Sequence, residues 1–167
     1  MFKCGDLIVY GNNGVCCIEE IAPLESETAN KDKLYYVLKN LTSNGVAYIP
    51  VDSNVYIRPI MSKSEAVALV EKIPTVTTEA FKTVPPRELQ KVYRDVLNFH
   101  DNIKTLSLIK HLRLTAKKKQ ALKKKLSATE ERFLEQALKI IGSELSAALE
   151  IPMDEAKNCI LDHLNID

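Results

Sequence analysis

Met1-Phe-Lys-Cys-Gly-Asp-Leu-Ile-Val-Tyr-Gly-Asn-Asn-Gly-Val-Cys-Cys-Ile-Glu-Glu-Ile21 is the stretch that decides how the rest of this chain is read. A Gly-Asp pair launches the apolar run Leu7–Tyr10, Gly11-Asn-Asn-Gly14 supplies a turn, and a second β-rich run extends from Val15 to Ile21. Glycine and asparagine tolerate positive φ, so the two runs are predicted to pair as a hairpin. Comparable runs recur at Leu34–Leu38, Gly45–Ile49 and Val55–Arg58, rich in Tyr, Val and Ile and separated by Asn, Ser, Gly, Asp or Pro. Five short strands in so short a segment predict a small closed barrel of SH3-like or Tudor-like type. The polar, acidic stretch Pro23–Asp32 suits an exposed loop, and alternation within the second strand points Glu19 and Glu20 to opposite faces. None of these residues forms a catalytic pattern, so the segment reads as a binding module.

From Pro59 onward the period changes to that of helices. Ser62-Lys-Ser-Glu65 and Ser127-Ala-Thr-Glu130 are capping-box sequences, in which each end of the motif satisfies a free backbone N–H of the other. The first opens a helix that stops before Pro74. The second opens a helix to about Leu149, whose stripe of Leu134, Leu138, Ile141, Leu145 and Ala148 is widened by Phe133, Ala137 and Ile140. That helix is expected at the centre of a helical core. Between the two, Pro74–Thr83 reads as a connection with a short helical turn. Pro86 suits the first turn of a helix through Leu89, Val92, Tyr93, Val96 and Phe99, and another helix begins near Asp101. Pro152 starts a last helix with Ile160 and Leu164 facing inward. The fold class expected is therefore two-domain, β then all-α, with residues 1–60 as the barrel and 61–167 as the helical domain.

Net charge over the 167 residues is +1, which conceals an uneven distribution. Residues 1–58 hold five basic and seven acidic side chains, whereas Lys110–Lys125 holds eight basic residues and no acid. On a helical wheel Lys110, Arg113, Lys117 and Lys124 share one side, flanked by Lys118 and Lys125, while Leu108, Leu112, Leu122 and Leu126 lie opposite. Such a ridge can follow a DNA phosphate backbone, each neutralised phosphate releasing counterions. The ordinary reading of a lysine run, a solvated helix face, stands beside it. No aromatic or Asn/Gln cluster accompanies the ridge, so the contact expected is independent of sequence.

Other function classes are poorly supported. The chain lacks a Walker-type loop, a Gly-x-Ser-x-Gly elbow, a CxxC pair and any Cys-His-Asn spacing, and His100, His111 and His163 are not at zinc-ligand spacing. No enzyme activity, metal, cofactor or small-molecule substrate is expected. Cys4, Cys16, Cys17 and Cys159 read as buried reduced thiols acting as small apolar side chains. No apolar run approaches the roughly 20 residues that span a bilayer, and the N-terminus lacks signal-peptide character. A cytoplasmic location is expected, with no membrane partner.

Several of these residues together resemble the CarD/CdnL family of bacterial transcription regulators, whose N-terminal module also occurs in the transcription-repair coupling factor. The similar residues are Phe2-Lys-Cys-Gly-Asp-Leu-Ile-Val-Tyr10, Gly14-Val15, Leu34-Tyr-Tyr-Val-Leu-Lys39, Ile49-Pro-Val-Asp52 and Arg58-Pro59, followed by Leu126-Ser-Ala-Thr-Glu-Glu-Arg-Phe-Leu134 and Gly142-Ser-Glu-Leu145. The lysine-rich insert before Leu126 and the C-terminal tail resemble a clostridial-type branch. The resemblance implies a Tudor-like domain that binds the β subunit of RNA polymerase by strand addition, and a helical domain over upstream promoter DNA. The matching strand is Val46-Ala47-Tyr48-Ile49-Pro50, and Tyr48 stands where some relatives place a basic residue.

Well-studied relatives also insert a Trp into the minor groove at the edge of the melted bubble. This chain has no Trp: the equivalent region is Val84-Pro-Pro-Arg-Glu88, Tyr93 reads as core, and Glu131 replaces a basic residue. The function expected is modulation of open-complex stability, with the basic ridge supplying an electrostatic grip in place of the wedge. The competing expectation is an interaction module that binds polymerase or another protein without touching DNA.

Overall fold

A computed structural model describes residues 1–27 and 30–166. Thr28 and Ala29, in the predicted acidic loop, lie outside the described residues, as does Asp167. Five antiparallel strands come first: β1 (Leu7–Tyr10), β2 (Val15–Pro23), β3 (Leu34–Asn40), β4 (Val46–Pro50) and β5 (Ile57–Pro59). Their order in the sheet is β4-β3-β2-β1-β5. Inside the barrel-like curl Ile8, Cys16, Ile18, Tyr36, Leu38 and Ile49 form a small core. The expected closure is incomplete in one respect: the pairing runs from β4 to β5 without joining those two, so both are edges.

The first hairpin turns where the sequence places it. Gly11 and Gly14 take φ of +49° and +82°, and Tyr10 N–H donates to Gly14 O at 3.1 Å. Asn40 ties this turn to the next one. Its amide donates to Asn13 O at 2.8 Å, while its Oδ1 accepts from the Thr42 N–H and hydroxyl, both at 2.8 Å, and from Ser43 N–H at 3.1 Å.

Strand β2 departs from simple alternation. Ile18 faces Leu38 and Glu20 faces Val37, so Glu19 is the extra residue of a bulge. Ile18 and Ile21 can then both point inward, and Glu19 and Glu20 are both exposed rather than turned to opposite faces.

Six helices follow: α1 (Lys63–Lys72), α2 (Glu79–Lys82), α3 (Leu89–Asn98), α4 (Asn102–Ala121), α5 (Ala128–Leu149) and α6 (Met153–His163). Both capping boxes form, and Asp101 caps α4 through a hydrogen bond from Lys104 N–H. Pro86 opens a 3₁₀ turn over Pro86–Glu88 that leads into α3. The helical core gathers Ala66, Leu69, Tyr93, Leu106, Ile109, Leu112, Ile141, Leu145 and Ile160 around α5. Tyr93, Ile160 and Leu164 are buried as expected. The buried run of α5 is broader than the predicted stripe: Ile140–Leu145 is buried on every side, while Leu134, Leu138 and Ala148 are only partly covered.

The reason lies in the sheet. Val9 and Val15 face one another across β1 and β2, are buried, and lie outside the barrel core. Val15 N–H donates to Ser143 Oγ at 3.3 Å, so α5 packs on the strands with one side and on the other helices with the rest.

Three sequence expectations fail here. Phe99 does not continue the buried stripe of α3; the helix ends at Asn98, and Phe99 is 65% exposed with Lys104 Nζ 3.5 Å from its ring centroid. Leu122 does not dock and is 70% exposed. Of the four free thiols only Cys16 is buried; Cys4 is exposed, and Cys17 and Cys159 are half-buried.

Candidate functional site

Strand β4 is the open side of the sheet. Asn40 N–H donates to Gly45 O at 3.0 Å and Val51 N–H to Leu34 O at 2.9 Å, with Tyr36 opposite Ile49 and Leu38 opposite Ala47 between them. Antiparallel alternation therefore directs the backbone groups of Ala47 and Ile49 toward β3, and those of Val46 and Tyr48 toward solvent. The side chains alternate in the same way. Ile49 is in the core and Ala47 packs against it, while Val46 and Tyr48 are 49% and 55% exposed. Pro50 ends the edge: it has no N–H, and its carbonyl already accepts from Ser53 N–H at 2.9 Å. Of the five residues predicted to meet a partner strand, Val46 and Tyr48 thus carry the backbone groups that point away from β3. The other edge is blunted, since β5 is three residues long and ends in Pro59.

The cationic segment is less regular than the wheel. Helix α4 stops at Ala121, with Leu122 as its cap and Lys123 at φ +58°. Lys123 N–H donates to Gln120 O at 2.9 Å and Lys124 N–H to Lys119 O at 2.8 Å, the paired bonds of a Schellman closure with lysine where glycine is usual. Lys124 and Lys125 therefore leave the helix and line a groove with Arg113 and Gln120, faced by Glu131 and Glu135 of α5. Lys110 is half-buried and donates to Val76 O at 2.9 Å, so it braces the chain after α1 and does not join a solvent ridge. Lys119 is held by Glu130 at 2.5 Å. Burial works to raise the Glu130 carboxyl, but hydrogen bonds from Lys119 and the Ser127 cap outweigh it and leave the group below its ordinary value. Arg113, Lys117, Lys118, Lys124 and Lys125 are exposed, and among the described residues none is in an ion pair.

The junction between sheet and helices is built on one carboxylate. Glu144, in the middle of α5, has no exposed side-chain surface. It accepts from Arg58 at 2.5 and 2.8 Å and from Met61 N–H at 2.9 Å. The hydrogen bonds that Arg58 donates to Glu144 hold the guanidinium above its ordinary value, against the effect of burial. A second link stacks His100 on Tyr56 with centroids 4.0 Å apart, beside a 2.9 Å hydrogen bond from Asn12 to Asn98. Sequence reasoning did not single out Glu144. The available signal was an acid inside an otherwise apolar stretch of α5, matched by an arginine at the end of the last strand.

The helical core has its own polar centre. Tyr93 OH and His111 Nε2 are 2.8 Å apart, and His111 stacks on Phe81 at 4.5 Å. Burial pushes the Tyr93 phenol up to about 12 and lowers the His111 imidazole from its ordinary value. Among the described residues no group of three or more His, Cys, Asp or Glu is placed to hold a metal ion, and no helix is long and apolar enough to cross a membrane.

A five-stranded sheet with β4 as an open edge is thus joined, through Arg58 and Glu144, to a helical bundle with a group of exposed cations around the end of α4. Residues 2–61 match the CarD-like/TRCF RID domain and residues 90–161 match the CarD C-terminal domain. The chain belongs to the CarD-like family. That family consists of non-enzymatic, RNA polymerase-interacting transcription factors. No curated protein matches the sequence.

Proposed function

We propose that this protein regulates transcription by tethering itself to the β subunit of RNA polymerase through β4 and resting its cationic end on upstream promoter DNA. In this reading residues 1–60 are the polymerase-binding part and 61–167 the DNA-facing part. The observation that carries it is the open β4 edge, which lies within the segment matching the RID domain. An extended polymerase segment would pair with Val46 and Tyr48, backbone bonds giving affinity and alternate side chains selectivity. Arg113, Lys117, Lys118, Lys124 and Lys125 would contact phosphates without reading bases. Tethering raises the local DNA concentration, so a weak cationic surface suffices to change the lifetime of the open complex.

Val46→Pro tests the first half, because it removes an outward N–H at the first residue of an edge strand, where proline is tolerated. The variant is expected to lose binding to a polymerase β-lobe fragment, and undiminished binding refutes strand addition. Replacing Arg113, Lys117, Lys124 and Lys125 with Glu is expected to shorten promoter-complex lifetime while leaving polymerase binding intact. An unchanged lifetime refutes the DNA half. A second reading, polymerase binding without DNA contact, draws support from the carboxylates of Glu131 and Glu135 on the facing wall of the cationic groove. Salt separates the two, since phosphate contact weakens steeply with ionic strength and strand pairing does not.

A further inference from the structure

We propose that the segment pairing with β4 places an arginine opposite Tyr48, and that this arginine lies across the Tyr48 ring toward Glu20 and Glu25. The inference rests on the reading of β4 as the polymerase-binding edge and adds the chemistry of the partner. Tyr48 faces Val37 and Val37 faces Glu20, so these three side chains form one row across the outer face of β4, β3 and β2. The bulge at Glu19 is what brings Glu20 onto this face. Leu24 and Glu25, just past β2, close the row into a shallow cleft that also includes Ala22. The neighbouring row differs. There Lys39, opposite Val46, is already paired with Glu19 at 3.7 Å, so that position asks for no partner charge. Among the described residues neither Glu20 nor Glu25 is in an ion pair.

Charge and reach both select the partner. At roughly 4.8 Å per strand, Glu20 stands about 14 Å from a strand added beside β4, so the two meet only when a long partner side chain lies across Tyr48 and the Glu20 side chain reaches back over Val37. Arginine suits it better than lysine: its planar guanidinium stacks on the exposed phenol ring and still offers donors to two carboxylates. The excess of acids over bases in residues 1–58 favours a cationic partner segment as well. A second copy of this chain pairing through its own β4 cannot supply the cation, because Val46–Pro50 contains none.

The test is the association and dissociation kinetics of the full chain with bacterial RNA polymerase core enzyme over a range of salt concentrations. Glu20→Gln/Glu25→Gln is expected to lower the association rate roughly 5-fold or more at low salt, with the difference vanishing at high salt. Tyr48→Leu keeps the apolar bulk and is expected to shorten the lifetime of the complex about 3-fold or more. Both substitutions are on the exposed face, and unchanged far-UV circular dichroism confirms the fold. If Val46→Pro abolishes binding while the Glu20/Glu25 variant associates like wild type with the same salt dependence, the arginine contact is refuted and the edge-strand reading stands. If Val46→Pro binds normally, the edge-strand reading falls and this inference falls with it.

Discussion

Replacing Arg58 with Met should destabilise this protein more than any conservative change at its partner, Glu144. Glu144 has no exposed side-chain surface, whereas 28% of the Arg58 side chain is exposed. Without Arg58 the carboxylate stays buried with only the 2.9 Å bond from Met61 N–H. An uncompensated buried charge of this kind costs about 3–5 kcal/mol, a large share of the roughly 5–15 kcal/mol that holds a domain folded. Glu144→Gln keeps the shape and the acceptor for Met61, and the guanidinium can turn to water. Its cost should be about 1.5–3 kcal/mol, the worth of hydrogen bonds to a charged group.

The double variant Arg58→Met/Glu144→Met removes both charges and should recover most of the loss from Arg58→Met, because apolar replacement of a whole buried pair is close to neutral. Urea unfolding separates these outcomes with two probes. Helix circular dichroism follows α1–α6, and tyrosine fluorescence follows chiefly the strand region, which holds five of the six tyrosines in a chain without tryptophan. Wild type should show one coincident transition, and Arg58→Met two, as sheet and helices uncouple. A loss below about 1 kcal/mol for Arg58→Met, or a double variant as unstable as the sum of the singles, refutes the argument.

Three further predictions concern single sites. Gly14→Ala should cost about 2–3 kcal/mol, combining a left-handed backbone penalty with displacement of the Ser143 hydroxyl, since the new Cβ would lie 2.8 Å from Ser143 Oγ. Gly5→Ala, at φ +88° with open space around it, isolates the backbone part and should cost less in the same melting assay. Burial lowers the folded-state imidazoles of His111 and His100 below their ordinary 6.5. Their contribution to stability is therefore complete above pH 6.5 and is lost as pH falls from there through the folded values. His111→Phe should flatten the slope of melting temperature against pH below 6.5, and an unchanged slope counts against a neutral, half-buried His111. Burial pushes the Cys16 thiol up to about 11, so at pH 8 an aromatic disulfide reagent should label exposed Cys4 at once and Cys16 only on unfolding. Rapid labelling of Cys16 in the native protein contradicts its placement in the barrel core.

What could be read from the sequence was what neighbouring residues decide among themselves. The hairpin turn at Gly11–Gly14 and the two capping boxes rest on φ preference and hydrogen bonds within a few residues, and the first four strands follow from alternation; the fifth, expected at Val55–Arg58, starts only at Ile57. The limits of α3 and α4 were not legible for the same local reason. With five glycines in the chain, the left-handed positions in the turns after these helices are taken by His100 and Lys123, so the usual stop signal is missing and the helical pattern runs on past the true end of α4.

The remaining features belong to tertiary structure alone. The bulge at Glu19 exists because Ile18 and Ile21 must both reach the barrel core. Glu144 can be buried in α5 because β5 delivers Arg58 and the chain after it delivers Met61 N–H. Lys110 left the cationic surface because Val76 O needed a donor. In each case the deciding partner is distant in the chain or on another element, and only folding brings the two within hydrogen-bond or packing distance.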